Sequence, residues 1–296
     1  MNLFQALFLG LLQGATEFLP VSSSGHLVLV PWLLRWDSPG LAFDAVVHWG
    51  TALAVIACFW RDWVTLIRAA FHRRGDPCGR PAPCACSDSG ACPDPCARPD
   101  PCARPANLAW LILLGTLPAM FAGWLLGDFF EGMFARPVAA AALLLVTAAL
   151  LTASERFGRR VRDLDTLTWS DALLVGFAQA LAILPGLSRS GATIAAALAR
   201  GLKREPAARF SFLLATPVIL GAGLLKVVDL AQVGDLAAQA PALVVGFLAA
   251  ALVGFGCIRF LLRYLQRHRL YPFAIYCAVF GLVCLLVALV RSPSSF

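Results

Sequence analysis

The sequence predicts an all-α integral membrane protein with six transmembrane helices and two re-entrant pairs of broken helices. The composition supports this fold class, because 59% of the 296 residues are hydrophobic, 14% are charged, and the mean hydropathy is +0.76. No ordinary soluble domain has such values. Six apolar runs are each long enough to cross the ~30 Å hydrocarbon layer as one helix. Two further apolar regions contain a central proline.

The six continuous runs lie near residues 41–60, 108–127, 136–153, 210–228, 241–260 and 271–290. The two interrupted regions are 3–34, which contains Pro20, and 169–201, which contains Pro185-Gly186. Proline has no amide proton to donate, and its ring clashes with the preceding helical turn. Each interrupted region is therefore predicted to form two half-helices.

The distribution of basic residues predicts the orientation of the chain in the membrane. Most of the 24 lysine and arginine residues lie in four segments, at 61–104, 156–162, 200–209 and 259–269. Short loops rich in these residues remain in the cytoplasm, so both termini are expected outside. The first broken pair then enters from the outside and the second from the cytoplasm. The net charge of +7 mainly reflects the basic residues of these loops. These residues are dispersed among the spans and form no domain of their own, which argues against a nucleic-acid partner.

Most of the ten cysteines lie in a proline-rich insert at 72–106, within a predicted cytoplasmic loop. The reducing cytoplasm argues against disulfides, and the spacing contains no CxxC pair of the kind that zinc sites use. The near-duplicate stretches "PDPCARP" at 93–99 and 99–105 indicate low-complexity expansion. A disordered linker is the preferred interpretation, with a metal or redox site as the alternative.

The two interrupted regions resemble each other, because "QGATEFLPVSSSG" at 13–25 aligns with "QALAILPGLSRSG" at 179–191. We predict a single membrane domain over 1–296, built from two halves at about 1–153 and 169–290 that enter from opposite sides. In such inverted-topology repeats the broken helices meet near the membrane midplane and form the binding site there.

Glu17 and Arg189 are the strongest functional candidates. A charge near the centre of a membrane helix costs ~2.5–3.5 kcal/mol on insertion scales and is rare without a role. Gln13 lies four residues before Glu17 and so shares its helix face. After Pro20, the serines at 22–24 suit the N-cap of a second half-helix. A helix start carries unpaired N–H groups and partial positive charge, so it binds anions.

The second interrupted region repeats this design with Arg189, whose guanidinium can bind phosphate oxygens bidentately. His26 falls in the first turn of the other region's second half-helix. Two helix starts, several hydroxyls and three ionisable side chains together predict a phosphate site. Phosphoryl transfer and transport of a phosphorylated molecule both fit such a site, and the reactive set of side chains favours the enzyme.

In its longest motifs the chain resembles the bacterial undecaprenyl-diphosphatase family, which is also known for bacitracin resistance. The resemblance rests on "QGATEFLPVSSSGH" at 13–26, "PGLSRSG" at 185–191 and "RFSFLLATPVILGAGLLK" at 209–226. It covers nearly the whole chain except the insert. It implies hydrolysis of undecaprenyl diphosphate to the monophosphate and inorganic phosphate, which recycles the lipid carrier of cell-wall synthesis. It also implies a Mg²⁺ or Ca²⁺ cofactor and a site open to the periplasmic side of the inner membrane.

The resemblance further implies roles for individual residues. Glu17 is the essential carboxylate, Arg189 neutralises the diphosphate, and Ser23 is a proposed nucleophile. His26 is implied as nucleophile or as general acid or base. We favour attack by Ser23, with His26 or Glu17 taking its proton. A hard cation is expected on Glu17, Gln13 and the substrate's own oxygens. The expected substrate-binding residues are Gln13, Ser22, Ser24, Gly25, Ser188, Ser190, Gly191 and Thr193.

Two alternatives stay open. His48 occupies a position where relatives often carry glutamine, and a polar core or pocket contact is preferred there over a ligand. A transporter or flippase of the prenyl phosphate carrier is the alternative function, since inverted repeats are commonest among transporters. The expected partners are the lipid substrate and membrane lipids, with a homodimer as a further alternative.

Overall fold

The structure, a computed structural model, describes residues 1–37, 40–71, 103–232 and 236–291. Over these residues the regular structure is helical, apart from one isolated bridge between Arg162 and Leu202. The predicted linker at 72–106 therefore lies largely outside the described residues. The helices are α1 (Leu3–Phe18), α2 (Ser23–Leu34), α3 (Gly40–Cys58), α4 (Trp60–Phe71), α5 (Ala103–Leu125), α6 (Gly127–Phe134), α7 (Pro137–Phe157), α8 (Trp169–Leu181), α9 (Arg189–Ala199), α10 (Arg204–Gln232), α11 (Leu236–Arg267) and α12 (Tyr271–Arg291).

Membrane-spanning helices make up most of the described fold and confirm the all-α membrane class. The helices α5, α7, α10, α11 and α12 are long and apolar enough to cross a bilayer. The predicted run at 41–60 is followed by a bend near its end. It forms α3, and the chain then bends by 78° into α4, so the described residues give five spans, or six if the bent pair counts as one. The sequence prediction missed α4, whose Arg61, Asp62 and Arg68 give it a polar face.

Both predicted broken pairs are confirmed. The first pair is α1 and α2, separated by residues 19–22, and the second is α8 and α9, separated by residues 182–188. The second half-helix of each pair begins with the same kind of N-cap hydrogen bond. The Ser22 hydroxyl accepts a hydrogen bond from the Gly25 N–H at 3.2 Å, and the Ser188 hydroxyl accepts one from the Gly191 N–H at 3.0 Å. These serines are N-caps, as the sequence predicts.

Packing between the two halves of the chain is reciprocal. The first half-helix of each broken pair packs against a helix of the other half, α1 against α11 and α8 against α5. The helix that follows each pair uses the same partners, because α3 packs on α11 and α10 packs on α5. This reciprocal packing supports the predicted inverted repeat. The repeat itself, the orientation of the chain and its division into two halves stay predictions.

Two buried carboxylates form ion pairs at helix ends, on the side of the molecule that is predicted to face the cytoplasm. Glu155 at the end of α7 accepts two hydrogen bonds from Arg204, both at 2.7 Å, and one from the Leu270 N–H at 2.9 Å. Asp171 in the first turn of α8 pairs with Arg162 at 2.7 Å and Arg200 at 2.5 Å. Both carboxylates are buried. Asp171 joins the start of α8 to the end of α9, and Glu155 joins α7 to the start of α10 and to the residue before α12.

The tips of the two broken pairs touch through glycine. A Cβ added to Gly25 would lie 3.0 Å from the Cα of Gly186, and Gly186 itself has a φ of +96°. A Cβ on Gly186 would overlap the carbonyl oxygen of Ala140 in α7. The Thr147 hydroxyl, also in α7, donates to the Gly186 carbonyl at 3.0 Å and accepts from the Ser188 N–H at 3.0 Å. The helix α7 therefore supports the second tip directly.

We expect Gly186→Ala to lower the free energy of unfolding by at least ~2 kcal/mol, because it combines a steric overlap with a left-handed backbone that L-residues avoid. Thermal unfolding in detergent micelles measures the change. Gly123→Ala is the matched control, since its added Cβ meets nothing within 4 Å and alanine favours a helix interior. Equal stability of the two variants would contradict the described tip contact.

Candidate active site

The site is built around Glu17, which lies in the last turn of α1 and is 5% exposed. Its neighbour one turn earlier is Gln13, whose Nε2 donates to Glu17 Oε2 at 2.9 Å. The helix ends at Phe18, directly before the turn that contains Pro20. The predicted common face of Gln13 and Glu17 is therefore confirmed, and the carboxylate stands at the break between the two half-helices.

Ser23 approaches the same carboxylate from the start of α2. Its hydroxyl donates to Glu17 Oε2 at 2.5 Å. The preceding residue, Ser22, has a φ of 72°, a conformation that non-glycine residues rarely adopt. This reversal returns the chain over the end of α1 and places Ser23 beside the carboxylate.

Arg189 reaches Glu17 from the other half of the chain. Its guanidinium NH2 forms an ion pair with Glu17 Oε1, across the gap between the two tips. The two tips also share a neutral contact, because the Ser190 hydroxyl donates to the Leu19 carbonyl at 3.1 Å. Both oxygens of Glu17 are thus occupied, one by the second tip and one by the first.

The two helix starts retain donors for an anion. The N–H groups of Ser23 and Ser24 have no acceptor among the described residues, and the same holds for Arg189 and Ser190. Ser23, Ser24 and Arg189 are only half-buried. Unpaired N–H groups at two helix N-termini, together with a guanidinium, are suited to a phosphate. The predicted phosphate site is supported by this geometry.

His48 is a neighbour of Glu17 that the predicted site did not include. Its Nε2 lies 3.6 Å from Glu17 Oε2, while its Nδ1 bonds the Asp44 carbonyl at 2.6 Å. The side chain is 28% exposed. A polar residue inside a predicted span is the signal that could have found it, and the preferred interpretation of His48 as a pocket contact agrees with its position.

Two predicted site residues face other partners. His26 is buried in α2, where its ring bonds the Ser22 carbonyl and the Tyr276 hydroxyl, both at 2.7 Å. Thr193 of α9 bonds the Ser211 hydroxyl of α10 at 2.6 Å. Neither side chain contacts Glu17. The remaining predicted substrate-binding residues, Ser22, Ser24, Gly25, Ser188, Ser190 and Gly191, all lie in the first turns of α2 and α9 or at their caps.

The oxygens available to a divalent cation are few. Gln13 Oε1 is buried and has no hydrogen-bond partner, next to the Glu17 carboxylate. Among the described residues there is no group of three or more histidine, cysteine, aspartate or glutamate side chains that would hold a metal. The two side chains fit a hard cation as a partial oxygen shell that other ligands must complete.

Comparison with known proteins agrees with this geometry. The family model described as bacitracin resistance protein BacA matches residues 6–283. The chain belongs to the BacA family. It is 39% identical over 291 residues to the undecaprenyl-diphosphatase of Desulforudis audaxviator, covering 98% of this chain and 100% of the relative. It is 44% identical over 294 residues to the undecaprenyl-diphosphatase of Thermomicrobium roseum, covering 97% and 98% of the two chains. The BacA match includes both tips.

We expect Arg189→Ala to destabilise this BacA protein by roughly 3–5 kcal/mol, because it leaves Glu17 as a buried charge without a cation. Adding Glu17→Gln to the same chain should restore most of the loss. The measurement is the thermal unfolding of the single and double variants in detergent.

Arg209→Ala is the control for this pair of variants. It breaks an ion pair with Asp62 at 2.7 Å whose side chains are 38% and 33% exposed, and such a pair contributes at most ~1 kcal/mol. An Arg189→Ala variant that is no less stable than Arg209→Ala would show that the Glu17–Arg189 pair is absent.

Proposed function

We propose that this chain is a membrane phosphatase that hydrolyses undecaprenyl diphosphate to undecaprenyl phosphate and inorganic phosphate. It thereby recycles the lipid carrier of cell-wall synthesis and contributes to bacitracin resistance. The observation that carries the proposal is the contact between the Ser23 hydroxyl and the buried Glu17 carboxylate, which is paired with Arg189 from the opposite tip. The relatives' shared name, undecaprenyl-diphosphatase, supports the substrate.

In the proposed reaction Ser23 is the nucleophile. Its oxygen attacks the terminal phosphorus while its proton passes to Glu17, to which it already donates at 2.5 Å. The bond from phosphorus to the bridging oxygen breaks, and undecaprenyl phosphate leaves with the bonding electrons. Water then attacks the phosphoserine, releases inorganic phosphate and restores the serine hydroxyl. The geometry favours Glu17 over His26 as the base, because the His26 ring bonds other groups.

The two helix starts and Arg189 neutralise the phosphate charge. The N–H groups in their first turns have no acceptor among the described residues, and we assign them to the negative charge that accumulates during the transfer. Donors held in place before the reaction stabilise such charge without reorganisation, and one of them is worth a factor of about 10²–10³ in rate. Arg189 adds a permanent positive charge, since arginine is not deprotonated in proteins.

We propose a Mg²⁺ or Ca²⁺ cofactor held by Glu17 and Gln13 together with oxygens of the diphosphate. The unpartnered Gln13 Oε1 supports this assignment. Such a cation supplies further neutralisation of the diphosphate when it is bound. The remaining predicted substrate contacts are made by the caps and first turns of α2 and α9.

We propose further that the protein lies in the bacterial inner membrane with its site open to the periplasm. The support is the distribution of basic segments, which places 61–104, 156–162, 200–209 and 259–269 in the cytoplasm. Membrane lipids are its surroundings, and a homodimer remains a proposal from the sequence alone.

A transporter or flippase of the prenyl phosphate carrier is the second candidate function. The reciprocal packing of the two broken pairs favours it, because transporters commonly use that architecture. The hydrogen bond between Ser23 and Glu17 favours the enzyme, since recognition of a phosphate does not need a nucleophile paired with a base.

The purified protein in detergent with Mg²⁺ should release inorganic phosphate from undecaprenyl diphosphate. Ser23→Ala and Glu17→Gln should each reduce kcat by a factor of about 10² or more, because they remove the nucleophile and its base. Ser154→Ala is the matched control, since among the described residues its hydroxyl bonds only the Leu151 carbonyl of its own helix, at 2.9 Å. Background phosphate release by the wild type, with lipid still crossing vesicle membranes, would support the transporter.

The cysteine-rich insert provides a test of the orientation. A membrane-impermeant maleimide should label inverted membrane vesicles heavily and right-side-out cells weakly, since most cysteines lie in a predicted cytoplasmic loop. The control chain has serine at Cys78, Cys84, Cys86, Cys92, Cys96 and Cys102 and retains the span cysteines. Stronger labelling from the outside of intact cells would reverse the proposed topology.

A further inference from the structure

The hydrogen bonds of His26 define the state of its ring. A carbonyl oxygen only accepts, so the 2.7 Å contact between Nδ1 and the Ser22 carbonyl requires a proton on Nδ1. In the neutral ring Nε2 then has a lone pair, which accepts the Tyr276 hydroxyl at 2.7 Å. The ring is 1% exposed, and no carboxylate of the described residues lies within ion-pair distance of it. Both nitrogens are therefore occupied.

The surroundings of the ring belong to the second half of the chain. Phe280 of α12 stacks on His26 with centroids 4.7 Å apart and ring planes 11° apart. Tyr276 lies one turn earlier on the same helix. Next to it, the Cys277 thiol contacts the Pro20 carbonyl at 3.6 Å. The helix α12 thus holds the first tip at two points, while α7 supports the second tip.

The carbonyl that His26 bonds belongs to the residue with the unusual backbone. Ser22 has φ 72° and ψ 91°, and such a conformation in a non-glycine residue costs of order 1–3 kcal/mol. It persists only when its surroundings hold it in place. The Ser22 carbonyl accepts both the His26 backbone N–H at 3.1 Å and the His26 ring. The ring is therefore the side-chain support of this conformation.

The conformation of Ser22 sets the position of the next residue. Ser23 follows directly and places its hydroxyl 2.5 Å from Glu17 Oε2. A continuous series of contacts thus runs from the Tyr276 hydroxyl through the His26 ring and the Ser22 carbonyl to Ser23. The His26 ring itself touches neither the Ser23 hydroxyl nor Glu17.

We propose that His26 and Tyr276 are positioning residues for the phosphatase reaction. His26 acts through the Ser22 backbone, and Tyr276 acts by holding Nε2 of the His26 ring in place through its hydroxyl. This inference rests on the proposed function for its kinetic consequence, and it replaces the role of His26 as nucleophile or general acid or base that the family resemblance implies.

His26→Asn and His26→Ala separate positioning from proton transfer. The asparagine amide can donate to the Ser22 carbonyl as Nδ1 does, but it has no basic nitrogen. We expect His26→Asn to retain kcat within about 10-fold of the wild type, and His26→Ala to lose a factor of about 100 in kcat with KM nearly unchanged. Equal, complete loss of activity in the two variants, with both still folded, would overturn the proposal.

Tyr276→Phe keeps the aromatic ring and removes only the hydroxyl. We expect kcat to fall by about 3- to 10-fold with little change in KM, because the His26 ring loses one of its two bonds. Tyr264→Phe is the matched control, since Tyr264 also stacks on a histidine, His268, at 4.6 Å, but that histidine is exposed and lies after the end of α11. Wild-type kcat in Tyr276→Phe would contradict the role of the hydroxyl.

Nitrogen-15 NMR of histidine-labelled protein tests the bonding independently of activity. The His26 signal, identified by its loss in His26→Asn, should report the Nδ1–H tautomer, and its Nε2 resonance should shift in Tyr276→Phe. An Nε2–H tautomer, or no shift in Tyr276→Phe, would overturn the proposal. A wild-type protein that releases no phosphate would instead refute the proposed function, and the NMR spectra would then decide by themselves whether His26 is held as described.

Discussion

The ion pair between Glu17 and Arg189 joins the tips of the two broken helix pairs. Each charge lies at the tip of a broken helix, and Glu17 is almost fully buried. An isolated charge in such a place is strongly unfavourable, so each tip requires the other. Because the residues are far apart in sequence, the chain can satisfy both only by bringing its two halves together. The same approach brings two helix starts to one point, where their free N–H groups can bind phosphate.

Close approach of the tips in turn determines several features of the scaffold. Glycine is needed where the tips touch, at Gly25 and Gly186. Two residues with positive φ, Ser22 and Gly186, reverse the chain over a short distance, and each is held by a helix of the fold. Thr147 of α7 bonds the Gly186 segment, and α12 contacts the Ser22 segment through His26. These contacts support the turn that places the Ser23 hydroxyl 2.5 Å from Glu17 Oε2.

Local features of the fold and site were predictable from sequence. Pro20 and Pro185-Gly186 mark the helix breaks because proline ends helices, and Ser22 and Ser188 cap helices through bonds only three residues long. The common face of Gln13 and Glu17 follows from helical spacing. The convergence of Glu17 and Arg189 on one pocket was predictable, because each is a rare charge at the tip of a broken pair and the two pairs share a motif. These inferences depend either on a short segment of sequence or on the small number of charged residues within the predicted membrane helices.

Features that depend on distant contacts were not predictable. Nothing near His26 in sequence indicates that its ring bonds Tyr276, which lies 250 residues away. The same holds for Thr193, whose hydroxyl pairs with Ser211 instead of facing the pocket. The bend after α3 also escaped prediction, because the apolar run at 41–60 has the length of a straight span.

An experimental structure with a non-hydrolysable methylene analogue of a prenyl diphosphate would test directly whether both tips bind one phosphate. We expect the terminal phosphonate to lie between the first turns of α2 and α9, in contact with Ser23 and Arg189 together. A phosphonate bound by only one tip, or bound elsewhere while Glu17 and Arg189 stand apart, would contradict the claim that both halves of the chain form one phosphate site.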